Sequence, residues 1–206
     1  MEIPYLLQGG IIGLSIAAPV GPIGVLCIRR TLAEGRVAGL VSGLGAATAD
    51  ALYGSIAGFG LTAISSLLVS QQAWLRLVGG LFLCYLGVRT LLARPAQQAA
   101  SVKGRGIVGT YASTLFLTLT NPMTILSFAA VFAGLGLGQT RGDYVSAGLL
   151  VLGVFLGSAT WWLLLSGSVG LLRARFPATG LLWVNRISGI IILGFGIVAL
   201  ASGRLG

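Results

Sequence analysis

Long apolar runs, separated by short polar and mostly basic stretches, dominate the hydrophobicity pattern of this chain. A membrane-spanning helix needs about 20 consecutive apolar residues, because each residue advances the helix by about 1.5 Å. The pattern therefore predicts an all-α integral membrane protein with about six transmembrane helices. We expect these spans at residues 5–28, 37–61, 74–92, 107–139, 144–172 and 182–202.

Proline interrupts the first and the fourth of these runs. Residues 18–22 read Ala-Pro-Val-Gly-Pro, and residues 120–122 read Thr-Asn-Pro. A proline inside a helix lacks the backbone N–H and clashes with the carbonyl one turn earlier. In lipid, the freed backbone groups need partners within the protein or in a wet cavity. Breaks at matching places in two halves of a membrane protein indicate a transport site, so we predict that helices 1 and 4 are broken there.

The two halves of the chain resemble each other. Residues 45–50 (Gly-Ala-Ala-Thr-Ala-Asp) match residues 157–162 (Gly-Ser-Ala-Thr-Trp-Trp), and residues 74–87 match 183–196. Each half holds three expected spans, an odd number, so the second half would cross the membrane in the opposite orientation, as in many secondary transporters. The alternative is chance similarity among glycine-rich apolar helices. The expected single membrane domain, 1–206, comprises a first repeat at 1–93, a cytoplasmic linker at 94–106 and an inverted second repeat at 107–206.

Composition supports a membrane protein and sets its expected orientation. Charged residues are 8% of the chain, against about 25% in soluble domains. The net charge of +9 would indicate nucleic acid binding in a soluble protein, but here the basic residues mark cytoplasmic loops, and we expect no nucleic acid partner. If both termini lie outside, ten basic residues face the cytoplasm and three face outward, and this is the orientation that we expect. The N-terminus lacks the basic region of a signal peptide and is expected to be a retained span.

Asp50 is the one carboxylate that falls deep inside an expected span. A central aspartate costs roughly 2.5–3.5 kcal/mol on insertion scales, so it normally faces a cavity or a partner. Such a group can anchor a substrate amine, exchange a coupling proton, or do both in competition. The alternative is a structural role, in which Asp50 is fixed by the backbone or by an arginine.

The other candidate residues lie at the two breaks and in the matched stretches. Backbone amides exposed after a break, together with the helix dipole, favour an anion such as a carboxylate. A tryptophan face can hold an ammonium group, although packing against lipid or core explains a tryptophan equally well. Hydrogen bonding inside the bundle is the alternative for the hydroxyl groups. The expected substrate- or ion-binding residues are Asp50, Pro19, Gly21, Pro22, Asn121, Pro122, Thr124, Ser127, Thr48, Tyr53, Trp161 and Trp162.

The cysteines and the absence of histidine argue against a metal site and against an enzyme. Cys27 and Cys84 lie in apolar runs and are expected to be small core residues, with no disulfide and no metal site. The chain has no histidine for a Ser–His pair and only one deep carboxylate, too few for an aspartyl dyad, so we expect no enzyme and no cofactor. Glycines 35, 39 and 43 recur on one face and are expected to serve helix packing, and the arginines at 29, 30 and 36 are expected in a basic loop.

These motifs together resemble the LysE/RhtB family of amino acid exporters. The resemblance rests on residues 19–22, 29–39, 45–50, 79–87 and 121–124, taken in order and spacing. It implies a six-span inner-membrane carrier that exports amino acids or similar small solutes, with proton antiport as the usual coupling. The implied partners are a small-molecule substrate, a coupling ion and the lipid bilayer, and self-association stays open. An ion or metal-cation carrier or channel of the wider superfamily is the alternative, although one deep carboxylate and two cysteines are a thin ligand set.

This chain departs from the family pattern at both breaks. Many members have Pro-Gly-Pro at the first break, where this chain has Pro-Val-Gly-Pro. Many have Asn-Pro-Lys at the second break, where Met123 replaces the lysine. Loss of that basic group weakens the expectation that the second break binds an anion, and the identity of the substrate does not carry over.

Overall fold

A computed structural model describes residues 3–19, 21–59, 71–92, 95–135, 144–172 and 178–202, and within these ranges the regular structure is helical. The helices are α1 (Ile3–Ala17), α2 (Pro22–Glu34), α3 (Arg36–Gly58), α4 (Gln72–Leu91), α5 (Pro95–Leu119), α6 (Pro122–Leu135), α7 (Tyr144–Leu172) and α8 (Ala178–Ser202). By length and composition, α4, α7 and α8 can each cross a membrane, and the bent pair α1 and α2 can form a fourth span. The all-helical membrane class predicted from the sequence is therefore confirmed.

Both predicted helix breaks are present. The first separates α1 from α2, and the two helices are bent by 80° relative to each other. Gly21 precedes α2 in extended conformation, and Pro22 is the first helical residue, where its missing N–H removes no helical hydrogen bond. At the second break α5 ends at Leu119 and α6 begins at Pro122. Val20 lies outside the described residues.

The prediction of a basic loop directly after the first span is wrong. Arg29 and Arg30 are helical residues of α2, and both are buried. The chain turns at Gly35, whose φ of 109° is a left-handed conformation that favours glycine. Gly35 therefore separates two helices, whereas Gly39 packs against Thr31 as the expected helix-packing residue.

The other predicted boundaries differ less. The linker predicted at 94–106 is instead helical from Pro95 onward, where it forms the first part of α5, and α5 is kinked at Gly106, whose φ is 60°. Gly180, predicted in a loop, lies within α8. The polar turn predicted at 65–72 falls mostly outside the described residues, as do the loops at 141–143 and 173–177.

Four helix pairs form the main packing contacts: α1 with α7, α3 with α5, α3 with α7, and α4 with α8. Glycines allow the close approach. A Cβ atom on Gly157 would collide with the carbonyl of Gly10, and a Cβ atom on Gly45 would collide with the carbonyl of Tyr111. The same holds on α4, where Gly87 faces the backbone of Leu193 in α8. Small residues at the interface allow the backbones of membrane helices to approach this closely.

The predicted core position of Cys27 is confirmed. Cys27 is fully buried in a cluster with Leu26, Leu83 and Trp162, where α2, α4 and α7 meet. Cys84 is half-buried, and both cysteines are free thiols. The α2 segment also packs against α3, α5, α7 and α8.

Gly157→Ala is expected to destabilise the protein by about 1–3 kcal/mol, because the added methyl group overpacks the α1–α7 contact. Gly167→Ala on the same helix is the matched control, since a Cβ atom there meets nothing within 4 Å. Thermal unfolding of the detergent-solubilised variants measures the difference. Equal melting temperatures for the two variants would contradict the packing described for α1 and α7.

Candidate functional site

A cavity of about 230 Å³ lies between the two helix breaks, and we call it the central cavity. Helices α2, α3, α5, α6, α7 and α8 contribute to its wall, together with the end of α1. It brings together eight of the twelve residues predicted for the site: Asp50, Pro19, Gly21, Pro22, Asn121, Thr124, Ser127 and Trp162. Residues far apart in the sequence thus meet at one place, and both breaks border it.

Asp50 supplies the carboxylate of this cavity and is only 3% exposed. The hydroxyl of Ser158 donates a hydrogen bond to Asp50 Oδ2 at 2.6 Å. The indole N–H of Trp162 donates in turn to Ser158 Oγ at 3.1 Å. Among the described residues, the hydrogen-bond partner of Asp50 is therefore a neutral hydroxyl rather than an arginine. Its position is fixed without a neutralising cation, which favours a ligand over the purely structural alternative.

The first break presents the start of α2 to the cavity. Gly21, Pro22, Ile23 and Gly24 all line it, and Gly21 provides no side-chain cap. The first N–H groups of a helix have no acceptor within the helix. They carry the positive end of the helix dipole, which attracts anions. A Cβ atom on Gly21 would meet nothing within 4 Å, so the space in front of these amides is open.

The second break is satisfied internally. Asn121 Oδ1 accepts a hydrogen bond from the backbone N–H of Met123 at 3.2 Å and so caps α6. Its Nδ2 donates to Thr124 Oγ1 at 3.1 Å. Ser127 Oγ donates to the Met123 carbonyl at 2.8 Å while lining the cavity. The two breaks therefore differ chemically, since only the first leaves its helix start without a side-chain cap.

Three predicted site residues, Thr48, Tyr53 and Trp161, are not among those that line the central cavity, and the side chain of a fourth, Pro122, lies outside the described residues. Thr48 accepts a hydrogen bond from the Tyr111 hydroxyl at 2.7 Å, between α3 and α5. The Tyr53 hydroxyl donates to the carbonyl of Leu119, at the last residue before the second break. Trp161 is half-buried against the cluster around Cys27, and Pro122 begins α6. The hydroxyl groups of Thr48 and Tyr53 therefore form hydrogen bonds inside the helix bundle, which was the alternative to a role in substrate binding.

The sequence did not single out several residues that line or support the cavity. Ser158 lies four residues before Trp162, so the two side chains share one face of α7, but serine is too common in membrane helices for that to indicate a carboxylate partner. Thr118 and Phe195 line the wall and carry no chemical motif. Phe195 lies on α8, the last helix, and no local sequence pattern indicates that α8 contributes to the cavity wall.

The cavity can thus attract charge of both signs. Asp50 attracts a cation on one side, and the positive end of α2 attracts an anion on the other. Trp162 and Phe195 add aromatic surface. Helices long enough to cross a bilayer, packed around a cavity of this kind, are typical of multi-pass membrane transport proteins.

The chain matches the LysE type translocator family over residues 14–203 and belongs to that family. It is 30% identical over 191 residues to YcgF of Bacillus subtilis, which is named for amino acid efflux, with 90% of each chain covered. It is 26% identical over 191 residues to the threonine efflux protein of Escherichia coli K12, and the aligned region covers 86% of this chain and 88% of that protein. The threonine efflux protein of Salmonella typhi is 25% identical over 187 residues, with the same two shares covered. The comparison found no solved structure that matches the chain.

Proposed function

We propose that this protein is a secondary transporter that exports amino acids or related small solutes across the inner membrane by proton antiport. One observation carries the proposal: Asp50 and the uncapped start of α2 line the same cavity between two helix breaks. Membership of a translocator family, and relatives named for amino acid and threonine efflux, support the same class of substrate.

An amino acid zwitterion satisfies both charged features of the central cavity. Its ammonium group pairs with the carboxylate of Asp50, and the face of Trp162 adds a cation–π contact. Its carboxylate accepts hydrogen bonds from the first amides of α2. The cavity volume of about 230 Å³ is below the roughly 300–1,000 Å³ of drug-sized pockets, in agreement with a small solute. Asn121, Thr124 and Ser127 provide neutral polar groups on the side of the second break.

Antiport follows from the use of a single carboxylate for two cations. Asp50 holds either a proton or the ammonium group of the substrate, and it cannot hold both. A proton that arrives from the outside therefore releases the amino acid there, and loss of the proton to the cytoplasm restores the site for the next substrate. Exchange is obligatory as long as the empty, ionised site does not reorient, because an uncompensated carboxylate is costly to move within the membrane.

The proposed architecture is a pair of inverted repeats with six spans and both termini outside. The first repeat consists of the broken span α1–α2 followed by α3 and α4. The second repeat consists of the broken span α5–α6 followed by α7 and α8. In such a pair, α1 corresponds to α5, α3 to α7 and α4 to α8. The symmetry therefore relates the α1–α7 contact to the α5–α3 contact and relates the α4–α8 contact to itself, and all three are main packing contacts. The glycine contacts agree, because Gly157 meets Gly10 in one pair and Gly45 meets Tyr111 in the other.

A carrier or channel for a metal cation is the second candidate, and the described residues favour it less. Divalent cations such as Ca²⁺ take six to eight oxygen ligands. Within the described ranges, no three residues of the types His, Cys, Asp and Glu are close enough to hold a metal ion. Asp50 alone would be left as the ionised ligand in the cavity.

Efflux from loaded proteoliposomes under an imposed pH gradient tests the proposed function. A panel of labelled amino acids should include substrates that leave faster with the gradient than without it, whereas loaded divalent cations stay inside. Vesicles without the protein are the control for leakage. Cation efflux in the absence of any amino acid efflux would overturn the proposal in favour of the second candidate.

Ser158→Ala is expected to slow export at low substrate concentration by about tenfold, because a hydrogen bond to a charged group contributes roughly 1.5–3 kcal/mol. The substitution removes the donor that fixes Asp50. Thr160→Ala is the matched control on the same helix, since the exposed Thr160 hydroxyl bonds only to the carbonyl of Leu156 among the described residues. Export rates of reconstituted variants measure the effect, and similar rates for the two variants would contradict the role of Ser158.

A further inference from the structure

A second cavity, of about 190 Å³, lies where α2 ends and α3 begins. It is mainly apolar, with the carboxylate of Glu34 in its lining, and we call it the Glu34 cavity. Its lining residues are Glu34, Val37, Ala38, Val41, Gly106, Ile107 and Thr110. None of the residues in this lining also lines the central cavity.

The two cavities lie at successive levels along α3 and α5. These helices run in the same direction, since Gly45 lies against the Tyr111 carbonyl and, further along both, Tyr53 bonds to Leu119. On α5, Thr110 lines the Glu34 cavity and Thr118 lines the central cavity. This separation of eight positions corresponds to about 12 Å of helix. On α3 the same order holds, with Val41 lining the first cavity and Asp50 lining the second.

The side chain of Arg30 occupies the level between the cavities. It is 1% exposed and extends from α2 to both other helices. Its Nη1 donates to Ser42 Oγ and to Thr114 Oγ1, each at 2.8 Å, and to the Thr110 carbonyl at 3.1 Å. Its Nη2 donates to Ser113 Oγ at 2.8 Å. Ser42 follows Val41 on α3, and Thr114 lies halfway between Thr110 and Thr118, so these bonds form a layer that separates the two cavities.

The chemistry of this layer allows it to open. Three of the four acceptors given above are side-chain hydroxyls, each of which accepts a hydrogen bond from the guanidinium and carries no formal charge. A carboxylate is a stronger partner, because it accepts two parallel hydrogen bonds from an arginine and compensates its charge. A carboxylate that enters the Glu34 cavity can therefore compete with the hydroxyls for Arg30. Exchange of partners would detach α2 from α3 and α5 at this level.

We propose that Arg30 and its hydroxyl partners form a gate, and that the Glu34 cavity is the cytoplasmic entry site from which the substrate carboxylate opens it. The inference rests on the proposed function, and in particular on the orientation that places the end of α2 in the cytoplasm. It adds a second site to the transport path, distinct from the central cavity. Arg30 acts as a positioning residue for the closed state and as the first group to contact the substrate carboxylate.

Cysteine accessibility tests the gate without any transported substrate. In a background of Cys27→Ala and Cys84→Ala, Thr118→Cys reports on the central cavity and Val41→Cys reports on the Glu34 cavity. A membrane-impermeant thiol reagent is added to the cytoplasmic face of inside-out vesicles. We expect Val41→Cys to react readily, and Thr118→Cys to react slowly as long as Arg30 and its partners are intact.

Thr114→Val removes one acceptor of Arg30 at nearly constant volume. It should raise the modification rate of Thr118→Cys by about tenfold, the factor expected for the loss of one hydrogen bond to a charged group. Arg30→Ala should raise it further, and Thr114→Val still tests the gate if Arg30→Ala does not fold. Thr48→Val is the matched control, since it removes a different α3–α5 hydrogen bond, the one from Tyr111, and should leave the rate unchanged.

Equal modification rates in the presence and absence of the Thr114 hydroxyl would overturn the gate. An equal increase in Thr48→Val would overturn it as well, because the cause would then be general loosening of α3 and α5. These outcomes differ from failure of the proposed function, which would be seen as absence of amino acid efflux from the unmodified protein.

Discussion

Asp50→Asn is expected to abolish export driven by a pH gradient while the protein still inserts into the membrane. Asparagine has nearly the same shape, and its carbonyl oxygen can still accept the hydrogen bond from Ser158. What it loses is the negative charge and the ability to exchange a proton. Removal of a buried charged partner typically costs about 2–5 kcal/mol, so the rate at low substrate concentration should fall by about 100-fold or more. Efflux from proteoliposomes with an imposed pH gradient measures this loss.

Two further measurements separate the roles of the carboxylate. Counterflow, in which unlabelled amino acid exchanges for labelled amino acid without a gradient, should also be lost if Asp50 holds the ammonium group. It should persist if Asp50 exchanges only the proton. Asp50→Glu keeps the charge and should retain part of the activity. Normal gradient-driven export by Asp50→Asn would contradict both roles.

Gly21→Asp is expected to block amino acid binding by placing a carboxylate in front of α2. Gly21 is the residue before Pro22 and has open space at its Cβ position, so an aspartate side chain can be accommodated. Aspartate at this position caps the first amides of a helix and, relative to glycine, typically adds only about a few tenths of a kcal/mol of stability. The same amides are then unavailable to the substrate carboxylate, and the half-saturating concentration should rise roughly tenfold or more.

The controls for this substitution use the same position. Gly21→Ala adds no polar group and should bind substrate nearly normally. Gly21→Asn caps the helix without a charge and should have an intermediate effect. The half-saturating concentration for efflux, measured beside the melting temperature, distinguishes loss of binding from loss of folding. Unchanged substrate affinity in Gly21→Asp would contradict the assignment of the α2 start as the carboxylate site.

The features that sequence predicted well depend on local chemistry. Both breaks follow from the missing N–H of proline, and the helix predicted at 144–172 begins and ends at the residues found in α7. The cavity position of Asp50 was also predictable, because a single deep carboxylate must face a polar space or a partner. Its lining of the central cavity agrees with this expectation.

The features that sequence missed depend on partners far along the chain. Arg29 and Arg30 were predicted in a loop because a charged residue is costly in an apolar run. Arg30 is nevertheless buried, because Ser42 on α3 and Thr114 on α5 provide acceptors for its guanidinium. Likewise, Tyr53 shares a helix face with Asp50 but reaches Leu119 instead of the cavity, which depends on how α3 and α5 pack. No local pattern specifies such contacts.

The most direct test of the central claim is an experimental structure of the protein with a transported amino acid bound. We expect the amino acid in the central cavity, with its nitrogen about 2.7–3.2 Å from an oxygen of Asp50 and its carboxylate at the first amides of α2. A transported amino acid bound away from both Asp50 and the start of α2 would contradict this binding site.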